Sequence, residues 1–246
     1  KKIVDSKRKG KNVLIYLEDN TVILIHMKMT GHILYGKYVQ EKNVWLATES
    51  GALQDPFNGF IHLVFTLSGG KHLVLSDVRK FAKITFYNDK SPNATELELI
   101  GPDPLEDSFT WQVLERRLAT KPSSKIKTTL MDQSVIAGIG NIYSDEILFK
   151  SDLHPESIVK KMDSSDIKKM TSAMKSILAR SIVMGGDSLS DYRNIAGERG
   201  DYQNHHSAYR QTGKRCPKKN CTGTIERKII GGRSAHFCNV HQIRKV

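Results

Sequence analysis

An α+β chain is predicted from three observations. Apolar residues alternate in strand fashion over the first hundred positions. Helical spacing replaces that pattern over the second hundred. The closing segment gathers every cysteine around a short hairpin. The expected parts are a β-rich domain over residues 1–100, a helical domain over 101–200, and a loop remnant with a metal-bearing hairpin over 201–246. A chain of 246 residues is long enough for two hydrophobic cores.

The β-rich part begins with "NVLIYLEDNTVILIHMKMTG", two apolar runs broken by Glu18-Asp19-Asn20, which reads as a hairpin. The same form recurs in "GFIHLVFTLSGGKHLVLSDVRKFAKITFYND", with Gly69-Gly70 at the turn. The stretch between them, "QEKNVWLATESGALQDPFNG", is polar and irregular and is expected to be a loop. An antiparallel sandwich or barrel accommodates these strands. The proline-rich, acidic "GPDPLEDS" then marks a boundary.

Four helices are expected beyond it: "FTWQVLERRLA", "SSKIKTTLMD" with Ser123 or Ser124 as cap, "GNIYSDEILFKS", and a long "SSDIKKMTSAMKSILARSIVMGG" that stops at Gly185-Gly186. Between the second and third lies "DQSVIAGIGN". Two glycines leading into a helix let backbone N–H groups face a phosphate, and Asn141 can cap that helix or bond the phosphate itself. Taken alone, the same segment also suits an ordinary tight turn.

In the closing segment, Cys216 and Cys221 are separated by four residues, Cys238 and His241 by two, and the pairs by sixteen. Three sulfurs and an imidazole match tetrahedral zinc with no position left for a catalytic water, so a single structural zinc ion is expected. His236 is a competing ligand with the poorer spacing. Between the pairs, "TIERKIIGGRSAHF" reads as a hairpin turning at Gly231-Gly232, with Arg233 just past the turn as a candidate DNA contact.

Charge agrees with a polyanionic partner. The chain carries a net +12, and residues 201–246 alone hold ten Lys or Arg against two acids. No apolar run reaches membrane-spanning length, the basic start lacks the apolar stretch of a signal peptide, and three cysteines in one cluster do not make a disulfide framework. A reducing cytoplasm is expected, with nucleoid association in a bacterium.

"LMDQSVIAGIGNIYSDEILFKSDLHPES" resembles the helix–two-turns–helix signature of the formamidopyrimidine-DNA glycosylase/endonuclease VIII family. "RKGKNVLIYLEDNTVILIHMKMTGHI" looks like its early β-hairpin region, "SDVRKFAKI" like its D-P-R-R-F-G motif, "GPDPL" like its interdomain hinge, and the last segment like its zinc finger. The motifs occur in family order over nearly the whole chain. The resemblance implies a monomeric DNA-repair enzyme that flips an oxidised base out of the duplex, cuts its glycosidic bond, and nicks the resulting abasic site. It implies a DNA cleft in which Asn141 and Arg233 hold phosphates beside the lesion. Lys11 would lie near the damaged nucleotide, and Glu146 would stand behind an N-terminal nucleophile. Met29, Arg79 and Phe81 would fill the void left by the flipped base. Read without the family, Met29 and Phe81 would also suit a core, Lys11 a solvated hairpin, and Glu146 an exposed helix face.

The sequence departs from the family pattern in four places. The P-E-L-P-E-V start, whose proline amine forms a Schiff base with the sugar, is not found here, and a fragment of a longer enzyme is expected. The finger is Cys-Cys-Cys-His where four cysteines are usual. Lys80 replaces a second arginine, which weakens a bidentate phosphate contact. "AGERGDYQN" only loosely resembles the family's lesion-covering loop, "GKPGYFAQ", which bears on substrate choice. The Met-Arg-Phe set resembles the members that act on oxidised purines such as 8-oxoguanine and formamidopyrimidines. An oxidised-pyrimidine enzyme and a non-catalytic zinc-bearing DNA-binding module remain the alternatives.

Overall fold

The computed structural model describes residues 1–87, 97–189 and 191–246 and divides the chain into two compact units. The first comprises Lys1–Lys90 with Ser181–Asn204, the second Ser91–Arg180 with His205–Val246. This differs from the three parts read from the sequence, because the finger packs as one body with the helices and residues 181–204 return to the β-rich unit. Asn88 and Asp89, the end of the last expected strand, lie outside the described residues.

In the first unit, β1 (Ile3–Lys9), β2 (Asn12–Leu17), β3 (Val22–His26) and β9 (Lys83–Tyr87) form one antiparallel sheet in the order β1-β2-β3-β9. A second sheet orders β4 (His32–Gly36), β8 (His72–Ser76) and β7 (Ile61–Thr66) as β4-β8-β7. Strand alternation sends Ile15, Ile23, Ile25, Ile33, Leu73 and Leu75 into one shared core, so the arrangement is a sandwich. Leu34 and Val74 point the other way from the same strands, yet both are fully buried.

What covers them is the segment expected to be a loop. It holds the second half of β5 (Tyr38–Glu41) and all of β6 (Val44–Ala47), which pair as a hairpin, followed by 3₁₀ turns at Ala52–Gln54 and Pro56–Asn58. Trp45, Ala47 and Leu53 from this segment, with Tyr38 just before it, pack on Leu34 and Val74. The hairpin escapes a reading by alternation because Glu41, Lys42 and Asn43 interrupt it, and Lys42 and Asn43 make the turn in left-handed conformation.

The second unit carries α1 (Trp111–Leu118), α2 (Ile126–Met131), α3 (Asn141–Lys150) and most of α4 (Ser164–Val183). Thr110 caps α1, which buries Leu114 and Leu118. Neither Ser123 nor Ser124 caps α2. Its cap position is Lys125, without a side-chain bond, and its first N–H groups go to the carbonyls of Ser157 (from Ile126, 2.8 Å) and Pro155 (from Lys127, 3.3 Å). Helix α3 buries every side chain from Ser144 to Phe149, acids included. The finger hairpin, β10 (Glu226–Ile230) and β11 (Arg233–Phe237), pairs Ile230 with Arg233 across the expected Gly231-Gly232 turn. Among the described residues no helix is long and apolar enough to cross a membrane.

Candidate nucleic-acid interface

Each unit brings a set of contact residues together, and each set rests on buried carboxylates. In the first unit Met29 is 66 % exposed and Phe81 54 % exposed, which removes the core reading of both. They meet across Arg79. Its Nη1 donates to the Met29 sulfur at 3.4 Å, and its guanidinium carbon stands 4.6 Å from the centre of the Phe81 ring.

Asp77, 1 % exposed, builds the turn that presents Arg79 and Phe81. Its carboxylate accepts the backbone N–H groups of Arg79 (3.2 Å) and Ala82 (2.7 Å) and the hydroxyl of Thr30. Burial would raise the Asp77 carboxyl, but the hydrogen bonds from Thr30, Ala82, Arg79 and Phe81 outweigh it and hold the pKa below the usual carboxylate value. Lys80, at the turn's crest, is in left-handed conformation (φ 57°). Lys11 is exposed in the β1–β2 turn, and its charge adds to burial and to Lys28 in lowering the His26 imidazole.

In the second unit, Gly140 occupies the cap position of α3, so Asn141 is the first helical residue and not its cap. Asn141 lines an open polar concavity of about 510 Å³ with Tyr209, Arg210, Thr212, Arg227, Ser234 and His236. Its Oδ1 is buried and has no hydrogen-bond partner among the described residues. The Nδ2 of this half-buried amide and the guanidiniums of Arg210 and Arg227 are donors of the kind an anionic oxygen accepts from.

Arg233 is exposed where β11 begins, and alternation sets it with Ala235 and Phe237, on the hairpin face opposite Ser234 and His236. Arg227 is the guanidinium by which the hairpin lines the concavity, beside Arg210, and it is tied to the Ser234 hydroxyl at 3.0 and 2.8 Å.

Beneath the concavity lies a network that sequence reasoning did not find. Lys127, fully buried, donates to Asp145 Oδ1 (2.6 Å), Ser144 Oγ (3.0 Å) and the Asn141 carbonyl (3.4 Å). Burial pulls the Lys127 pKa down, opposed by the charge and hydrogen bond of Asp145. The other Asp145 oxygen takes the backbone N–H and Nδ1 of His236, both at 3.0 Å. One carboxylate therefore joins α2, α3 and β11. The available signal was an acidic pair set directly before the apolar run Ile147-Leu148-Phe149.

Glu146 is not a surface acid. It is 3 % exposed and accepts three backbone N–H groups, from Ser207 (2.8 Å), Ala208 (2.9 Å) and Tyr209 (2.8 Å). Its lone pairs hold the segment that delivers Tyr209 and Arg210 to the concavity.

The expected metal ligands converge. The nearest ligand atoms of Cys216, Cys221, Cys238 and His241 lie within 4.8 Å of one another, and all three cysteines are free. Cys216 Sγ is 3.3 Å from His241 Nδ1, Cys221 Sγ 3.6 Å from Cys238 Sγ and 3.9 Å from His241 Nδ1. A tetrahedron with metal–sulfur bonds of about 2.3 Å places sulfurs about 3.7 Å apart, so the donor set fits zinc. His241 Nε2 donates to the Phe149 carbonyl (3.3 Å), which leaves Nδ1 free to ligate. Gly223 is required beside the site, because a Cβ there would stand 2.5 Å from Cys238 Sγ. His236 is engaged by Asp145 and lies outside the ligand group.

Residues 1–84 match the model of the formamidopyrimidine-DNA glycosylase N-terminal domain, and residues 100–193 that of the formamidopyrimidine-DNA glycosylase H2TH domain. The formamidopyrimidine-DNA glycosylase of Herpetosiphon aurantiacus is 35 % identical over 98 % of this chain and 82 % of its own length. That of Bacillus subtilis is 35 % identical over 97 % of this chain and 80 % of its own. Among solved structures, the MutM (Fpg) protein of Thermus thermophilus superposes with a TM-score of 0.78 at 29 % identity, over 98 % of this chain and 83 % of that one. The Lactococcus lactis Fpg in complex with abasic-site DNA gives a TM-score of 0.79 at 28 % identity, over 99 % and 83 %.

Proposed function

The chain belongs to the formamidopyrimidine-DNA glycosylase family, a family of base-excision repair glycosylases. From that premise we propose that it removes oxidised purines, 8-oxoguanine and formamidopyrimidine, from duplex DNA and then nicks the strand at the abasic site. The observation that carries the reading is the exposed Met29–Arg79–Phe81 cluster, held as a unit by Asp77. A thioether, a guanidinium and a phenyl ring at one protruding point suit a filler, a hydrogen-bonding plug for the orphaned base and a wedge between stacked pairs.

In this reading lysines and arginines draw in the DNA backbone. Asn141, with Arg210 and Arg227 beside it, grips a phosphate near the lesion, and Arg233 and Lys11 grip further phosphates. Glu146 contributes by fixing the backbone at 207–209, and no proton transfer is assigned to it. An amine attacks the sugar C1′ as the base leaves, and the Schiff base so formed permits strand cleavage. Cys216, Cys221, Cys238 and His241 would hold one zinc ion, which orders the finger.

The test is borohydride trapping on duplexes bearing either a single 8-oxoguanine opposite cytosine or a single thymine glycol. A covalent complex is expected on the first. Clear preference for thymine glycol would overturn the substrate assignment. Tight binding of abasic-site DNA with no trapping on either duplex would overturn the enzymatic reading in favour of a damage-binding module. Elemental analysis of the same sample is expected to find one zinc per chain.

A further inference from the structure

Resemblance to the family sets residues 196–204 in the position of a lesion-covering loop, and the first unit holds the start of that loop and the three residues before it. The 3₁₀ turn at Pro56–Asn58 and the residue before it grip the loop at three points. Arg193, 2 % exposed, donates from Nε to Asp55 Oδ2 (3.1 Å) and from Nη2 to both carboxylate oxygens (3.2 and 3.0 Å). Its guanidinium also stands 4.9 Å from the centre of the Phe57 ring. Asn58, 1 % exposed, donates from Nδ2 to the carbonyls of Ala52 (2.8 Å) and Gly197 (3.2 Å), while its Oδ1 meets His32 Nε2 at 2.9 Å. Tyr35 N–H reaches the Ile195 carbonyl at 2.9 Å.

The loop is also closed on itself. Asn194 Oδ1 accepts the N–H groups of Ala196 (3.0 Å) and Glu198 (2.9 Å). Gly197 (φ +85°) sits so close to the 3₁₀ segment that a Cβ would stand 2.8 Å from Asn58 Nδ2 and 2.9 Å from the Ala52 carbonyl. A bidentate ion pair with its arginine buried and its carboxylate part-exposed is a directional contact, and here it joins a turn to a loop otherwise reached mainly through backbone groups.

We propose that Asp55, Phe57 and Asn58 are positioning residues that fix the 193–199 loop in its working conformation before DNA arrives, and so set how strongly the damaged base itself is recognised. The proposal rests on the reading of this chain as a base-recognising glycosylase. A pre-ordered loop loses less conformational freedom when a base docks under it, so the gain appears only in the part of affinity that depends on the base.

The test compares the full chain with Asp55→Ala and Asp55→Glu. Amide hydrogen exchange is followed at 193–199, and affinity is measured for three duplexes: 8-oxoguanine-bearing, bearing a tetrahydrofuran abasic analogue, and undamaged. Asp55→Ala is expected to speed exchange at 193–199 by at least about tenfold and to lower the preference for 8-oxoguanine over the abasic analogue by about tenfold. Affinity for the abasic and undamaged duplexes should stay unchanged, and Asp55→Glu should restore most of the effect. Unchanged exchange, or faster exchange with the preference intact, overturns the proposal. A uniform loss on all three duplexes also overturns it, since that marks a merely structural residue. If Asp55→Ala does not fold, Arg193→Lys keeps the charge, loses the bidentate geometry and is judged by the same outcomes. If the parent chain itself shows no preference for 8-oxoguanine over undamaged DNA, the glycosylase reading fails and the base-recognition role falls with it. The exchange data then judge the loop-ordering role separately.

Discussion

In the first unit, Arg79 and Phe81 stand on a turn organised by the single carboxylate of Asp77, and Met29 meets Arg79 from the connection between β3 and β4. In the second, the concavity around Asn141 stands on two adjacent buried carboxylates, a buried ammonium and the cluster of Cys216, Cys221, Cys238 and His241. The first arrangement is local: the turn belongs to a sandwich whose core lies elsewhere, in the isoleucines and leucines between the sheets. The second is distributed, because Asp145 and Glu146 tie together α2, α3, β11 and the 207–209 backbone. Disturbing the second support should therefore unsettle a whole subdomain, and disturbing the first should unsettle one turn.

The contrast is sharpest at the metal ligands. Cys238→Ala is expected to unfold the finger and to abolish DNA binding, since apparent zinc affinities of about 10–16 kcal/mol serve as folding free energy in small finger domains. A variant with unchanged DNA affinity in a binding titration would show that the hairpin stands without its ion. Asp145→Ala comes next. It strands Lys127 as an unpaired buried charge, and denaturant unfolding should report a loss of about 3–5 kcal/mol. A loss below about 1 kcal/mol would mean that the ammonium loses its proton or finds water, and the second unit would then be no more interdependent than the first.

Asp77→Asn should cost less, about 1.5–3 kcal/mol for weakened charge-assisted hydrogen bonds. Its sign with pH follows from the lowered carboxyl pKa. Asp77 stabilises the fold fully above the unfolded value of about 3.9, and that contribution is lost as pH falls through the lower folded value. The variant should therefore show a shallower decline in stability than the parent across that acid range, read by thermal melts at stepped pH. Smallest in stability is Phe81→Ala. The ring is half exposed, so unfolding should change by less than about 0.5 kcal/mol. Affinity for damaged duplex should still fall by about 1–3 kcal/mol if the ring wedges between bases. Equal affinity would make the cluster a surface feature without a role in DNA.

Legibility from sequence followed the same division. Met29, Arg79 and Phe81 could be put forward as contact candidates because two family motifs carry them, and the fold then brings the three side chains together. The metal ligands could be named because paired spacing is a strong local signal. Strands such as β2, β3, β7 and β8 were visible in their apolar runs, and both Gly-Gly turns were placed. The supports were not visible. A buried Lys127 reads like any lysine on a short helix, and Asp145 and Glu146 reveal themselves only when α3 proves buried on every side. The cap of α2 was misplaced because its N–H groups are satisfied by the distant carbonyls of Pro155 and Ser157, a tertiary solution that no local pattern announces. The β5–β6 hairpin was missed because its polar turn masks the period and its task, covering Leu34 and Val74, exists only once the second sheet has formed.

Helix α3 has a mechanical meaning beyond its side chains. Its ten residues make a rod about 15 Å long, with Asn141 at the first position. At the far end, the Phe149 carbonyl is clasped by His241. The rod is a strut bearing on the Cys216, Cys221, Cys238 and His241 cluster at its base and carrying the amide at its tip. Any slackening at the base, through a lost ion or an oxidised thiol, swings the tip as a lever does, although the base lies a helix length from the amide it displaces.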